Sequence, residues 1–283
     1  MKSLEYFVLH PTDFSEASEP AFAYALKITL VLGTNITILH SRDRDDEANN
    51  RHLFPSVRST LVRWGMIREE SSRSTVFDEL GIKIEKVNVR GLSPMGAIFD
   101  YTLSNPVDLI VVATHAHECL DWCIQGDDVA KVMRLLAKDT LFVPEGVRGF
   151  VSLKDGNVSL KNILFPVDKE PNPDSAIKDG AALAKAFGDD SLNLTLIHVG
   201  NSEEMPEFNL PENAQFRWNI IHRNGQVVDE IIAVANEISA DLIVMATHGS
   251  NGFLDVLRGS VTKQVLQSAP CPVLAIASSS KDG

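Results

Sequence analysis

The sequence repeats itself. Val8-Leu9-His10-Pro11-Thr12-Asp13 recurs as Ile163-Leu164-Phe165-Pro166-Val167-Asp168, 155 residues later. Ile36-Thr37-Ile38-Leu39-His40 recurs as Leu194-Thr195-Leu196-Ile197-His198, at an offset of 158. The run Asp108-Leu109-Ile110-Val111-Val112-Ala113-Thr114-His115 recurs as Asp241-Leu242-Ile243-Val244-Met245-Ala246-Thr247-His248, at an offset of 133. Each copy must therefore build the same units from the same apolar runs. The fall in offset from 158 to 133 removes 25 residues from the second copy, after its second strand.

Within the first copy, short apolar runs alternate with helical patterns. Strands are expected at Tyr6 to His10, Asn35 to His40, Lys83 to Val89, Asp108 to Thr114 and Thr140 to Val143. Helices are expected up to about Leu32, from about His52 to Glu79, from Pro94 to Leu103 and from Val129 to Lys138. Ser15 or Ser18 is the expected cap of the first helix, and Gly33 its terminator. Trp64, Phe77 and Leu80 fall on the buried side of the second helix.

Glu145 to Ser159 carries Gly146, Gly149, Gly156 and Asn157 and is expected to join the copies, with Val147 to Leu153 as a possible extended crossover. The resulting domains are 1–146 and 160–283, with a linker at 147–159. In the second copy, strands are expected at Ile163 to Pro166, Leu192 to Val199, Phe216 to His222, Leu242 to Thr247 and Val273 to Ile276. Its helices are Ala176 to Phe187, capped by Asp174 or Ser175, then Val227 to Glu237 and Val261 to Gln267. Strands that alternate with helices imply right-handed βαβ units and a parallel sheet. The fold class is thus α/β, as two tandem open sheets.

Composition excludes several classes. A net charge of −12 argues against a general nucleic-acid binder, which needs a basic face. No apolar run approaches the length of a membrane span. The N-terminus starts a strand rather than an apolar signal region, and three cysteines give no disulfide framework, so the cytoplasm is the expected compartment.

The stretch from Asp241 to Ile276 carries the clearest chemistry. An apolar run breaks at Thr247-His248-Gly249, a loop follows to Arg258, and Gly259-Ser260 opens a helix. Glycines let backbone N–H groups approach an anion, and the unpaired N–H groups of a first helical turn point at it. The spacing Ala246-x-x-Gly249, nine residues, then Gly259-Ser260 and Val261, resembles the phosphate-binding signature of the universal stress protein family, G-x-x-G-x9-G-[S/T]. Ala246 departs from it, standing where the nucleotide-binding members have a glycine.

The resemblance spans nearly the whole chain, as a tandem protein. It implies an adenine nucleotide alpha hydrolase-like fold with strand order 3-2-1-4-5 and ligands beyond the carboxyl ends of the strands, at the switch point. It implies ATP or a related adenine nucleotide, with or without Mg, in the second copy. Val167 and Asp168 would hold the adenine edge, and Val199 would flank the base or ribose. Ala246 and Gly249 would leave the fourth strand, and Gly259, Ser260 and Val261 would take the phosphates. The family's habit of pairing fifth strands implies an intramolecular pseudo-dimer of Thr140 to Val143 with Val273 to Ile276, and leaves a homodimer open.

The corresponding loop of the first copy is altered. Ala116 replaces the loop glycine, and Asp127-Asp128 follow Gly126, where two carboxylates would repel a polyphosphate. The same loop holds His115, His117, Cys119 and Cys123, which are zinc-ligand types. Their spacing fits no common zinc arrangement, so zinc is not expected. Arg42-Asp43-Arg44-Asp45-Asp46-Glu47 reads as a solvated charged loop. No nucleophile motif and no Walker lysine is present, and no general base stands beside the phosphate loop. The expectation is a nucleotide-binding regulatory module rather than an enzyme. The alternatives are a nucleotide-free interaction protein and a slow ATPase.

Overall fold

The structure is a computed structural model and describes residues 6–42, 53–72, 79–114, 138–187, 191–213, 216–248 and 261–278. The chain forms two compact units: Met1–Ala113 with Val151–Val158, and Thr114–Phe150 with Ser159–Gly283.

The first unit is built on β1 (Phe7–Pro11), α1 (Ser18–Leu32), β2 (Asn35–Arg42), α2 (Val57–Arg63), β3 (Lys83–Arg90), α3 (Pro94–Ser104) and β4 (Leu109–Thr114). Its strands lie in the order β3-β2-β1-β4. All three pairings are parallel. Parallel neighbours need crossovers, and α1 and α3 supply them. β1 is a central strand, so Val8, Leu9 and His10 are all buried.

Two expectations for this unit fail for backbone reasons. The helix anticipated from His52 to Glu79 is described only as Val57–Arg63. Gly65 takes φ 69, a left-handed conformation that ends a helix. Trp64 is buried as expected, but at the end of α2 rather than inside a long helix. Leu80 is half-buried, and Phe77 lies outside the described residues. Ser15 and Ser18 are not side-chain caps of α1: the cap position is Ala17, and no side chain bonds there. Gly33 does close α1, at φ 59, where its N–H donates to the Thr29 carbonyl.

The region anticipated as a linker is packed. Val151 and Val158 form an antiparallel bridge, and the Ser152 N–H donates to the Asn157 carbonyl. This tight turn, not an extended crossover, lies against α2: the Trp64 indole N–H donates to the Leu153 carbonyl at 3.2 Å. A Cβ on Gly156 would stand 2.5 Å from that indole, so glycine is required there twice over, for contact and for its φ of 67.

The second unit comprises β5 (Asp139–Pro144), β6 (Asn162–Pro166), α4 (Asp174–Ala186), β7 (Leu192–Val199), β8 (Phe216–Arg223), α5 (Val227–Glu237), β9 (Leu242–His248), α6 (Val261–Ser268) and β10 (Val273–Ser278). Its strands run β5-β10-β9-β6-β7-β8. The second copy alone thus has the order β8-β7-β6-β9-β10, the doubly wound pattern 3-2-1-4-5. β5 joins it antiparallel, pairing Phe142 with Val273 and Leu141 with Leu274. The helix anticipated from Ala176 starts at Asp174, with Pro173 at the cap position, and the Asn172 side chain accepts the Asp174 N–H at 2.8 Å.

The offset that aligns β1 with β6 also aligns α1 with α4. Buried Ala21, Phe22, Ala25, Leu26 and Thr29 correspond to buried Ala176, Ile177, Gly180, Ala181 and Ala184. One exchange is compensated within this frame. His10 of β1 becomes Phe165 of β6, and Ala25 becomes Gly180. A Cβ on Gly180 would lie 2.8 Å from the Phe165 ring, so the glycine is the space that the larger ring requires.

A carboxylate closes the amino ends of the central strands in both copies. Asp108 accepts the Phe7 N–H at 2.8 Å. Asp241, buried, accepts the N–H groups of Lys161 and Asn162, each at 2.9 Å.

Candidate functional site

The carboxyl ends of β7, β6 and β9 are adjacent and parallel, with β6 in the middle. β6 is where the order reverses: β7 follows it in sequence on one side and β9 flanks it on the other. Crevices in open α/β sheets form at such a point, because successive crossovers leave on opposite faces.

Four of the anticipated site residues gather at these ends. Val167 follows β6, is buried, and donates its N–H to the Ile197 carbonyl at 2.9 Å. Asp168 comes next and is exposed, its carboxylate accepting the Lys169 N–H at 2.7 Å. Val199 ends β7 and is half-buried. Ala246 lies near the end of β9, paired in register with Ile276 of β10. Val261 opens α6 and is 36% exposed. Gly249, Gly259 and Ser260 lie outside the described residues, as do His115, Ala116, His117, Cys119, Cys123, Gly126, Asp127, Asp128 and the helix anticipated at Val129 to Lys138.

Sequence reading gave no role to the histidine near the end of the second strand, although it recurs in both copies. In the second copy His198 is buried. Its Nδ1 lies 3.2 Å from the Val167 carbonyl and its Nε2 3.2 Å from the Asn201 carbonyl. The ring lies between the turn after β6 and the turn after β7, and each N–H that it carries has a backbone carbonyl to receive it. In the first copy His40 makes the same bond, from Nδ1 to the Thr12 carbonyl at 2.8 Å. The other surroundings of the ring differ. Phe14 stacks on His40 with ring centroids 3.9 Å apart, and Phe54 meets Phe14 edge-on at 5.0 Å. Phe14 sits at φ 67, unusual for a bulky residue and costing on the order of 1–3 kcal/mol, so its ring contacts have to hold it there. At the matching place the second copy has Lys169, which is exposed.

The carboxylates after the central strands also differ. Asp13 accepts both the N–H of Ser15, at 2.9 Å, and its hydroxyl, at 2.6 Å. Burial pushes its pKa up, but hydrogen bonds from Ser15 and Ser18 outweigh that, and its carboxyl lies below the usual value. Asp13 is thus satisfied within its own turn. Asp168 accepts only a neighbouring N–H among the bonds described.

Two further titratable groups lie in the cores. His10 is fully buried, and desolvation lowers its pKa to about 4. Its Nδ1 faces the Val111 carbonyl at 3.0 Å, and its Nε2 has no hydrogen-bond partner among the described residues. Burial, with Asp241 nearby, pushes the Cys271 thiol up to about 12, so it is not a reactive thiolate at neutral pH. Among the described residues, no group of three or more His, Cys, Asp or Glu is placed to hold a metal ion. Among them, too, no helix is long and apolar enough to cross a membrane. Arg223, a candidate to favour an anion, is already paired with Glu237 at 2.5 Å.

A repeated α/β unit with a doubly wound strand order defines a tandem protein of the open, parallel α/β class. The universal stress protein family matches residues 8–144 and 209–277, and the chain belongs to that family. A universal stress protein of Synechocystis is 30% identical over 138 residues, covering 43% of this chain and 88% of its own length, so it has the size of one copy. The crystal structure of a universal stress protein from Archaeoglobus fulgidus matches the entire repeat, with 98% of this chain and 97% of that one covered, 18% identity and a TM-score of 0.62. The cytoplasmic domain of a prokaryotic cation chloride cotransporter has the fold as well, at 11% identity and a TM-score of 0.50, covering 96% of this chain and 95% of that one. A fold shared this widely does not select a ligand, and the site must.

Proposed function

We propose that this chain is a stress-response regulatory module that binds ATP or a related adenine nucleotide, one per chain, in its second copy. The observation that carries this reading is the convergence of Val167, Asp168, Val199 and Ala246 at the carboxyl ends of three adjacent parallel strands. Asp168 offers a carboxylate to an amine or hydroxyl, and Val167 and Val199 offer apolar flanks. Gly249, Gly259 and Ser260, ahead of the α6 N-terminus at Val261, supply small residues and N–H groups for phosphate. Mg would arrive with the phosphates. The role is binding, with the cytoplasm as its setting; no macromolecular partner is assigned. We also propose that the two copies form an intramolecular pseudo-dimer, a reading supported by the pairing of β5 with β10.

Acid extraction of the purified protein, followed by analysis of the released nucleotide, tests this directly. Adenine nucleotide near one equivalent is expected. A nucleotide-free protein whose melting temperature ignores added ATP is an interaction protein instead, because tight binding to the folded state alone raises that temperature. Turnover that survives stringent purification and disappears with Gly259→Asp would make it a slow ATPase.

A further inference from the structure

We propose that Asn224-Gly225, in the turn between β8 and α5, is a self-modifying site at which Asn224 loses its side-chain amide and becomes aspartate or isoaspartate, with the Glu230 carboxylate as the base. The Gly225 amide nitrogen attacks Cγ of Asn224, and a new C–N bond forms. The Cγ–Nδ2 bond breaks. The proton of the Gly225 N–H passes through Glu230 to the departing nitrogen, which leaves as ammonia. The five-membered imide that results takes up one water at either carbonyl. Opening on one side gives aspartate, and opening on the other gives isoaspartate. Water is the co-reactant, and the reaction does not depend on whether the second copy takes a nucleotide.

Asn224 and Gly225 are both exposed. Neither the Asn224 side chain nor the Gly225 N–H has a hydrogen-bond partner among the described residues, so nucleophile and electrophile are both free. Glycine has no side chain to hinder the attack, and the fold requires glycine here: a Cβ on Gly225 would stand 2.6 Å from Glu230 Oε1 and 3.1 Å from its Cγ. That contact also places a base. It sets the carboxylate of Glu230, in the first turn of α5, against the residue whose N–H must give up its proton. Asp155-Gly156 is the contrast within the chain. There the Gly156 N–H is held by the Ser152 carbonyl at 2.8 Å, and the Asp155 carboxylate accepts the Asn157 N–H at 3.1 Å, so that turn is closed to the same attack. The product alters a defined place in the fold. The Gly200 N–H donates to the Arg223 carbonyl at 3.0 Å, so the new carboxylate appears next to the strand end that is tied to the turn after Val199. Isoaspartate also routes the main chain through the former side chain and lengthens the connection from β8 to α5 by one carbon.

Peptide mapping by mass spectrometry on the full chain, held at neutral pH and sampled over days, reads the reaction site by site. The peptide with Asn224 should gain about one dalton, with isoaspartate as the larger share. Peptides with Asn105 and Asn219, which no glycine follows, should lag well behind. Because the fold supplies the base, Asn224 should react at least as fast in the folded chain as in the chain unfolded in guanidinium chloride, where the bare dipeptide is left. Glu230→Gln keeps the shape of the side chain and removes its basicity, and should slow the folded reaction several-fold. A folded rate well below the unfolded one overturns the inference, as does an unchanged rate in Glu230→Gln. The comparison of folded and unfolded rates uses the unaltered chain, so it decides the matter if the Glu230 variant does not fold.

Discussion

The same imidazole stands near the end of the second strand in both copies, and its neighbours differ. His40 lies under Phe14 and is walled by Phe54, with Asp13 turned onto Ser15. His198 lies between two carbonyl groups, with Lys169 exposed and Asp168 at the surface. The first arrangement satisfies its own aromatic and polar groups. The second places a carboxylate and two valines at the carboxyl ends of its central strands. Duplication preserved the strands and the histidine bond while the residues facing outward diverged. The proposal of one nucleotide, held by the second copy, rests on this difference.

The largest expected effect is on nucleotide binding. Gly259→Asp places a side chain and a negative charge at the helix start and should weaken ATP binding by about a hundredfold or more, a loss of roughly 3 kcal/mol. Gly126→Asp in the first copy should leave affinity and stoichiometry unchanged. Calorimetry giving two equivalents of ATP per chain, or loss of binding in the Gly126 variant alone, would end the asymmetric assignment.

The cores of the copies should respond differently to acid. His10 has a folded pKa of about 4, below the ordinary histidine value of 6.5, so the unfolded chain binds the extra proton first. Stability therefore falls as pH drops from about 6.5 to about 4 and levels off below that, by on the order of 3 kcal/mol. Phe165 occupies the matching place and contributes no such dependence. His10→Phe combined with Ala25→Gly transplants the second copy's pair and should flatten that part of the profile in denaturant melts. An unchanged slope between pH 4 and 6.5 would remove His10 as its source.

The strand-end carboxylates give a smaller contrast. Asp241 is buried and holds two backbone N–H groups, while Asp108 is exposed and holds that of Phe7. Asp241→Ala should cost roughly 2–4 kcal/mol and Asp108→Ala about 1 kcal/mol, since each hydrogen bond to a charged group contributes about that order. Equal costs in chemical denaturation would show that burial does not separate them. Smallest of all are the surface ion pairs, Arg63 with Glu19 in the first copy and Arg223 with Glu237 in the second, both substantially exposed. Arg63→Ala should shift stability by less than about 0.5 kcal/mol, apart from lost stem packing. A cost above 1 kcal/mol would mean that this pair is more rigid than its exposure suggests.

The first, second and fourth strands of each copy could be read from the chain because each is an apolar run of strand length, and the repeat located each of these three twice. Leu242 to Thr247 and Ile163 to Pro166 needed no tertiary information. The long second helix was over-read because apolar periodicity continues past Gly65, whose positive φ ends it. The capping serines were misread because Ala17 and Pro173 take the cap positions, and such geometry leaves no clear sequence signal. The linker looked loose from its glycines, yet Gly156 is there because an indole presses against it. Of the residues named for the candidate site, the strand-end positions of those carried by repeated motifs were legible. Phe14 was not, because its importance comes from a stacking partner, His40, that lies 26 positions along the chain.

The pairing of β5 with β10 also has a consequence for the order of synthesis. Leu141 leaves the ribosome long before Leu274, its partner about 130 residues later. At about 5–20 residues per second, β5 waits on the order of ten seconds for the strand that will cover its edge. During that interval Leu141, Phe142 and Val143, which end up buried, are exposed to whatever nascent chain or chaperone is at hand. A ribosome paused before Val273 would hold the protein at its most adhesive stage.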